Sequence, residues 1–126
     1  MHLILGGRGQ GKLEYAMGLS EPEVVIANLG ACDFDEILKA DIIYNLHAGI
    51  KKMIENGTNP VEKFEQTIET LMDKILIGDE IGSGIVPGDP IERQWRDETG
   101  RVYILLSNHA DRVDRIWAGC VQKLKG

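Results

Sequence analysis

Several features that would assign this sequence of 126 residues to particular classes of protein are scarce or missing. Its only cysteines are Cys32 and Cys120, and a chain of this size buries a core without covalent cross-links, so we expect two reduced thiols. No apolar run approaches the roughly 20 residues of a membrane-spanning helix. The first residues lack the basic stretch of a secretory signal peptide. Together these absences predict a cytoplasmic protein without a membrane partner.

Basic charge is scarce as well. There are 14 lysines and arginines against 20 aspartates and glutamates, a net charge of −6. Proteins that bind nucleic acids or anionic membranes usually have a basic patch, so the composition disfavours both partners. His2 and His109 form no metal-ligand spacing with the cysteines, and we expect no metal cage. Repeats, low-complexity tracts and linkers are absent, which predicts a single domain over residues 1–126.

Short apolar segments alternate with amphipathic ones along the chain. The segments typical of buried strands are residues 3–5, 23–28, 41–46, 75–78 and 113–118. Helical spacing and helix start signals predict helices at residues 12–19, 47–55, 60–71 and 98–110. Residues 82–97, with three glycines and two prolines, are predicted to form a long functional loop. This alternation predicts an α/β fold in which a mostly parallel sheet is flanked by helices in three layers.

A glycine-rich segment joins the first predicted strand to the first predicted helix. It matches G-x-x-x-x-G-K and consists of Gly6, Gly7, Arg8, Gly9, Gln10, Gly11 and Lys12. Between a strand and a helix such a segment binds phosphate, because its backbone N–H groups, the helix N-terminus and the lysine all attract phosphate oxygens. The dinucleotide motif G-x-G-x-x-G fails, since Lys12 and Glu14 occupy positions that it requires to be glycine. The segment predicts a P-loop nucleotide-kinase-like fold that binds ATP or GTP.

Leu13, the last residue of the predicted nucleotide-binding segment, stands where P-loops have a serine or threonine. The missing hydroxyl normally ligates Mg²⁺, so we expect phosphate binding to persist and Mg²⁺ binding to be weakened. A carboxylate after a later strand could hold the metal's water. The candidates are Asp79 and Glu80, and we assign the catalytic role to Glu80 together with Lys12.

The last third of the sequence resembles a known family. Motifs of the adenosylcobinamide kinase/adenosylcobinamide-phosphate guanylyltransferase family of cobalamin biosynthesis recur in order here: D-E-I-G-S-G-I-V-P at 79–87, R-Q-W-R-D at 93–97, G-R at 100–101 and A-D-R-V at 110–113. The resemblance covers residues 1–28 and about 60–126 well, and the stretch between them poorly. It implies a trimer that phosphorylates the aminopropanol hydroxyl of adenosylcobinamide with ATP or GTP. It also implies a second activity that transfers GMP through a guanylylated histidine.

The resemblance supplies further candidate residues and several departures. Gly82 and Gly84 would allow close backbone approach, and Arg93 and Arg96 would pair with phosphates, although Arg96 with Asp97 is equally well interpreted as a structural ion pair. Tyr103-Ile104 replaces the family's N-Q, and Asn45 replaces an acidic residue of the third strand. The segment that holds the guanylylated histidine is shortened to residues 29–40 and has no histidine. We interpret His47 as a residue of a helix start and not as the nucleophile.

Three hypotheses about function follow. The first is a shortened kinase whose partners are a nucleoside triphosphate and, by resemblance, a corrinoid. The second is a non-catalytic descendant that senses nucleotide or binds a partner protein, which Leu13 and Asn45 favour. The third is a structural subunit of a larger assembly. A kinase should show Mg²⁺-dependent turnover. A sensor should bind nucleotide without turnover, and a structural subunit should neither bind nucleotide nor turn it over.

Overall fold

Strands and helices alternate along the chain in the computed structural model, which describes residues 1–81 and 88–126. The strands are β1 (His2–Gly6), β2 (Ile26–Asn28), β3 (Ile42–Tyr44), β4 (Ile75–Asp79), β5 (Arg112–Trp117) and β6 (Cys120–Lys125). The helices are α1 (Lys12–Gly18), α2 (Phe34–Ile37), α3 (Leu46–Glu55), α4 (Pro60–Leu71) and α5 (Pro90–His109).

One sheet contains all these strands, in the order β2-β3-β4-β1-β5-β6. The neighbours from β2 to β5 pair in parallel, and β6 runs antiparallel to β5. The prediction of a mostly parallel α/β sheet is confirmed. The chain passes from β1 to the far edge and returns through β3 and β4, so β1 lies where the strand order reverses. In open α/β sheets ligands bind beyond the carboxyl ends of the strands at such a point.

Helices cover the sheet unequally. The larger core lies under α3, α4 and α5 and includes Leu3, Leu76 and Val113. The smaller core lies on the opposite face, where Ile4 and Ile77 are packed with residues of α1. Alternate residues of each strand enter different cores, as the pleat requires. The three-layer prediction is confirmed, with α1 as the thin layer.

The start of α5 corrects one prediction. The sequence predicted a loop over residues 82–97 and a helix from residue 98, but α5 begins at Pro90. The Asp89 side chain accepts hydrogen bonds from the backbone N–H groups of Ile91 and Glu92, and proline fits the first helical position. A proline taken for a loop signal is therefore part of a helix start.

Strand β6 was not predicted. Ala118 and Gly119, between β5 and β6, have φ angles of 50° and 77°. Two consecutive positive φ values are the geometry of a tight turn whose twist matches a β-hairpin. The chain therefore reverses direction after β5, and the exposed strand β6 (Cys120–Lys125) pairs with β5 at the edge of the sheet.

The sequence predicted that the chain has no membrane-spanning helix and that its two cysteines are reduced. Within residues 1–81 and 88–126, none of the helices combines the length and the apolar character that crossing a bilayer requires. Cys32 and Cys120 are both free thiols.

A buried carboxylate joins α1 to the sheet. Asp114 of β5 is fully buried, and its oxygens lie 2.6 Å from His2 Nε2, 3.0 Å from the Tyr15 hydroxyl and 3.1 Å from Arg112 Nε. Burial raises the pKa of Asp114, but hydrogen bonds from His2, Arg112 and Tyr15 outweigh it and hold the pKa below the usual 3.8. Tyr15 belongs to the helix that follows the glycine-rich loop, so this contact anchors that helix.

We expect the stabilising effect of Asp114 to disappear in acid. Because its pKa is lower in the folded state, its contribution to the free energy of unfolding is complete above about pH 4 and decreases as the pH falls through the folded-state pKa. Denaturant unfolding of the wild type and of Asp114→Asn between pH 6 and pH 3, at steps of about half a unit, should show the wild type's advantage shrinking below about pH 4. A difference that stays constant over the range would contradict this role.

Candidate functional site

The glycine-rich loop lies at the carboxyl ends of β1, β4 and β5. Gly6 pairs with Asp79 of β4 on one side and with Ile116 of β5 on the other. A side chain at Gly6 would overlap the carbonyl of Ile116, so only glycine allows β5 to approach this closely. The predicted phosphate-binding segment therefore occupies the point where the strand order reverses.

The loop presents unpaired backbone N–H groups. Gly9 and Gly11 have φ angles of 71° and 90°, values that favour glycine. Within the described part of the chain, the N–H groups of Arg8, Gly9 and Gly11 have no hydrogen-bond acceptor. The first N–H groups of α1 are also free, as they are at any helix start. A run of free donors next to a helix N-terminus is the arrangement that binds phosphate.

Lys12 is folded back into this loop. The residue is 6% exposed, its Nζ donates to the carbonyl of Gly7 at 2.6 Å, and it lies 2.8 Å from Oδ1 of Asp79. Burial of an ammonium group is costly unless it is paired, and Asp79 supplies the pairing charge. Asp79 therefore neutralises the cation that the loop would offer to a phosphate.

His47 holds Asp79 from the other side. Nδ1 of His47 accepts a hydrogen bond from the backbone N–H of Asp79 at 3.0 Å, and Nε2 lies 3.4 Å from Oδ2 of the same residue. Burial lowers the pKa of His47, and nearby Lys12 lowers it further, whereas Asp79 raises it. A neutral ring whose Nδ1 accepts must have its proton on Nε2. In this arrangement neither nitrogen of His47 is free to attack phosphorus or to bind a metal.

Tyr103 completes the environment of Asp79. Its hydroxyl donates to the backbone carbonyl of Asp79 at 2.6 Å and occupies the space above Gly78 in which a Cβ would lie. Burial raises the pKa of Tyr103, and Asp79 and Glu80 raise it further, so the hydroxyl keeps its proton and remains a donor. The position of the Tyr103 ring therefore depends on a glycine at position 78.

We expect Gly78 and Tyr103 to be coupled in stability. Tyr103→Phe leaves the Asp79 carbonyl without its donor, at a cost of about 1 to 3 kcal/mol. Gly78→Ala forces a methyl group against the hydroxyl, at a cost of about 1 to 3 kcal/mol. The alanine methyl would also lie 2.7 and 2.9 Å from ring carbons of Tyr103, so Gly78→Ala must displace the ring and break its hydrogen bond to the Asp79 carbonyl. Tyr103→Phe then removes a hydrogen bond that is already broken, so the loss in the double variant should be smaller than the sum. Denaturant unfolding measures all three.

Tyr44→Phe is the matched control, because the Tyr44 hydroxyl has no hydrogen-bond partner within residues 1–81 and 88–126. It should leave the unfolding free energy nearly unchanged. Strictly additive losses at positions 78 and 103 would contradict the coupling.

A cavity of about 620 Å³ opens beside this cluster. The loop residues from Arg8 to Leu13 line one wall, and Tyr44, Asn45, His47, Asp79, Glu80, Glu92 and Trp95 line much of the remainder. Trp95 is half-buried, its Nε1 donates to the carbonyl of His47 at 2.8 Å, and Lys51 lies over its ring. The cavity is large enough for a small-molecule ligand longer than a phosphate group.

The residues predicted from sequence have different places in this geometry. Lys12 and the loop lie at the cavity, and so does Glu80, whose carboxylate is held by Arg115 through contacts of 2.8 and 3.1 Å. Arg93 and Arg96 are exposed and do not line this cavity. Arg96 Nε lies 3.5 Å from Oδ1 of Asp97, and both side chains are exposed. Gly82 and Gly84 lie outside the described residues.

Leu13 and Asn45 leave the site short of metal ligands. Leu13 packs against the smaller core, and the Nδ2 of Asn45 donates to the Asn28 side chain at 3.0 Å. Within the described ranges, no group of three His, Cys, Asp or Glu side chains could hold a metal ion. Asp79 remains the carboxylate directly against Lys12.

Sequence reasoning missed the contacts of His47 and Tyr103. His47 was interpreted only as a helix-start residue, yet it contacts Asp79 across the end of the sheet. A signal was present, because His47 and Asp79 each follow or end a strand and the carboxyl ends of neighbouring parallel strands meet at one edge. Tyr103 lies in the middle of α5 and gave no comparable signal.

A comparison with known protein families gives a match. The family model described as cobinamide kinase / cobinamide phosphate guanyltransferase matches residues 36–124, more than half of the chain. No curated protein matches the sequence. The match includes residues 36–59, where the sequence predicted poor resemblance, whereas the glycine-rich loop lies outside it.

Proposed function

The chain belongs to the cobinamide kinase / cobinamide phosphate guanyltransferase family, and from that premise we propose that it binds a purine nucleoside triphosphate and phosphorylates an alcohol of a cobinamide-like corrinoid. The observation that supports this most is the buried Lys12 at the end of a loop with free N–H groups, at the point where the strand order reverses. The triphosphate would occupy the loop, and the remainder of the cavity would accommodate the acceptor.

Phosphate binding would reorganise one ion pair. The loop N–H groups and the start of α1 would receive the β- and γ-phosphates, and the Lys12 ammonium would exchange its contact with Asp79 for phosphate oxygens. Lys12 would then stabilise the charge that develops on the transferring phosphoryl group.

Phosphoryl transfer forms one bond and breaks one. The acceptor hydroxyl oxygen bonds to the γ-phosphorus, and the bond from this phosphorus to the bridging oxygen breaks, which releases nucleoside diphosphate. The hydroxyl proton passes to water in the open cavity. Asp79 and Glu80 are the two carboxylates at the end of β4. Arg115 engages both oxygens of Glu80, whereas Oδ1 of Asp79 would be freed when Lys12 turns to the phosphates, so Asp79 suits the role of metal ligand better.

Mg²⁺ fits this site as an ion shared with the nucleotide. Magnesium needs only one or two carboxylates when phosphates and water complete its coordination, and Asp79 would be that carboxylate. When bound, the ion would neutralise phosphate charge. Without a hydroxyl at Leu13 the protein contributes few ligands, so its affinity should be modest.

Guanylyl transfer is not part of the proposal. The segment of residues 29–40 contains no histidine. His47 accepts a backbone hydrogen bond at Nδ1, so a neutral ring has no free nitrogen lone pair for a covalent intermediate.

A nucleotide sensor is the second candidate. Leu13, which has no hydroxyl, and Asn45, whose amide is bonded to Asn28, favour it because both remove metal-binding groups. A sensor would bind nucleotide through the loop and show no turnover.

Calorimetric titration with ATP and with GTP, each with and without Mg²⁺, tests the proposal together with an assay of nucleoside diphosphate release in the presence of adenosylcobinamide. The kinase should bind one nucleotide and release diphosphate only with both Mg²⁺ and acceptor. Binding without release under any condition would favour the sensor, and failure to bind either nucleotide would reject both.

A further inference from the structure

The end of strand β4 has backbone groups that the sheet does not pair. The pairing of β3 with β4 stops at Ile43 and Leu76, whereas the pairing of β1 with β4 continues to Gly6 and Asp79. The backbone N–H of Glu80 points to β1, where it donates to Gly6. Successive residues of a strand face opposite neighbours, so the N–H and C=O of Asp79 face the side that β3 has left.

Side chains replace the missing strand at this position. His47 of α3 accepts from the Asp79 N–H at 3.0 Å, and Tyr103 of α5 donates to the Asp79 C=O at 2.6 Å. Both backbone groups of one residue are thus held by side chains of two helices. Buried backbone groups require partners, but a strand end more often obtains them from backbone or water.

The same histidine also faces the carboxylate. With Nδ1 occupied as an acceptor, the proton of the neutral ring lies on Nε2, which is 3.4 Å from Oδ2 of Asp79. The other oxygen, Oδ1, lies 2.8 Å from Lys12 Nζ. The Asp79 carboxylate is therefore placed between a histidine N–H and a lysine ammonium. The backbone N–H and C=O of Asp79 are held as well, by His47 and Tyr103.

We propose that His47 is a positioning residue that fixes the Asp79 carboxylate next to Lys12, in the orientation from which it would bind the nucleotide's Mg²⁺. The metal-binding part of this inference rests on the proposed function. The contact between His47 and Asp79 does not depend on it. His47 acts through Asp79 and does not touch the phosphates. Residues that orient a metal-binding carboxylate typically change metal affinity or activity by about 10- to 100-fold when replaced.

Two amide substitutions separate the two contacts of the imidazole. In His47→Asn the amide oxygen lies near the position of Nδ1 and can accept from the Asp79 N–H, but nothing reaches Oδ2. In His47→Gln the amide lies near Nε2 and can donate to Oδ2, but the backbone N–H loses its acceptor. His47→Ala removes both contacts. His109→Asn is the matched control, because His109 is exposed at the end of α5.

The measurement is calorimetric titration of each variant with nucleotide, with and without Mg²⁺, together with thermal unfolding. We expect His47→Ala to reduce the gain in nucleotide affinity that Mg²⁺ provides by about tenfold and to change metal-free affinity less than about threefold. His47→Gln should recover more of the Mg²⁺ effect than His47→Asn, whereas Asn should recover more thermal stability. Equal recovery by both, or a wild-type Mg²⁺ effect in a folded His47→Ala, would overturn the proposal.

The tautomer of His47 provides a test that needs no nucleotide. Long-range ¹H–¹⁵N correlation spectra of the ligand-free protein near neutral pH should show the proton on Nε2 and not on Nδ1. A proton on Nδ1 overturns the proposed contact whether or not the protein binds nucleotide. If the wild type binds neither nucleotide, the proposed function fails, whereas an Nε2–H tautomer would still support the contact with Asp79.

Discussion

Replacing Lys12 with alanine is expected to weaken nucleotide binding by about 100-fold. The lysine supplies a buried, positively charged donor, and a hydrogen bond to a charged group contributes about 1.5 to 3 kcal/mol, where 1.4 kcal/mol corresponds to tenfold in affinity. The variant also leaves Asp79 without the cation that lies 2.8 Å away, so a bare carboxylate would face the incoming phosphates. The expected loss therefore lies at the upper end of that range.

Calorimetric titration with ATP and GTP measures this loss, and Lys39→Ala is the control. Lys39 is exposed and does not line the cavity, and its replacement changes the net charge by the same amount. The control should bind nucleotide as the wild type does. Wild-type affinity in Lys12→Ala would contradict a role for the Lys12 ammonium in phosphate binding.

The fold was predictable where the signal is local. The strand at residues 75–78 and the helix start at Pro60 were predicted from hydrophobic periodicity and from residues that begin or end elements, all within a few positions. Both elements lie in the structure within a residue of their predicted bounds at these ends. The segment around Asp89 and Pro90 failed, because the same two residues signal a turn and a helix start, and the capping contacts distinguish them only in three dimensions.

The contacts of the site were not predictable to the same extent. Lys12 was identified because its motif is contiguous. The partners of Asp79 lie 32 and 24 residues away, in α3 and α5, and their contacts depend on which strand stops first. Because β3 ends at Tyr44, the Asp79 backbone has no partner strand on that side. The sequence of β4 alone gives no sign of where β3 ends.

The choice between Asp79 and Glu80 illustrates the same limit. Adjacent strand residues face opposite sides, so one of these carboxylates had to lie nearer the lysine, but the sequence does not reveal which one. In the structure Asp79 contacts Lys12, and Glu80 contacts Arg115 of β5. Arg115 is far from Glu80 in the sequence. The two residues become neighbours because β4 and β5 lie on either side of β1 in the sheet.

Asp79→Asn is expected to raise nucleotide affinity in the absence of Mg²⁺ and to slow diphosphate release in its presence. Without metal, the carboxylate competes with phosphate for Lys12 and repels it, so the neutral amide should raise affinity by about tenfold, within the range of a charge pair a few ångströms apart near a protein surface. With Mg²⁺ the variant lacks the carboxylate for the shared ion, and diphosphate release should fall by about 100-fold.

Glu80→Gln is the matched control for that change, since it removes the same charge one residue further along and its carboxylate is engaged by Arg115. If Asp79 is the functional carboxylate, Glu80→Gln should alter both nucleotide affinity and diphosphate release by less than about threefold, as expected for an exposed ion pair. The reverse result, in which Glu80→Gln abolishes release and Asp79→Asn does not, would restore the assignment made from the sequence. Lower metal-free affinity in Asp79→Asn would contradict the competition for Lys12, because removing a competing anion cannot weaken the binding of another at the same cation.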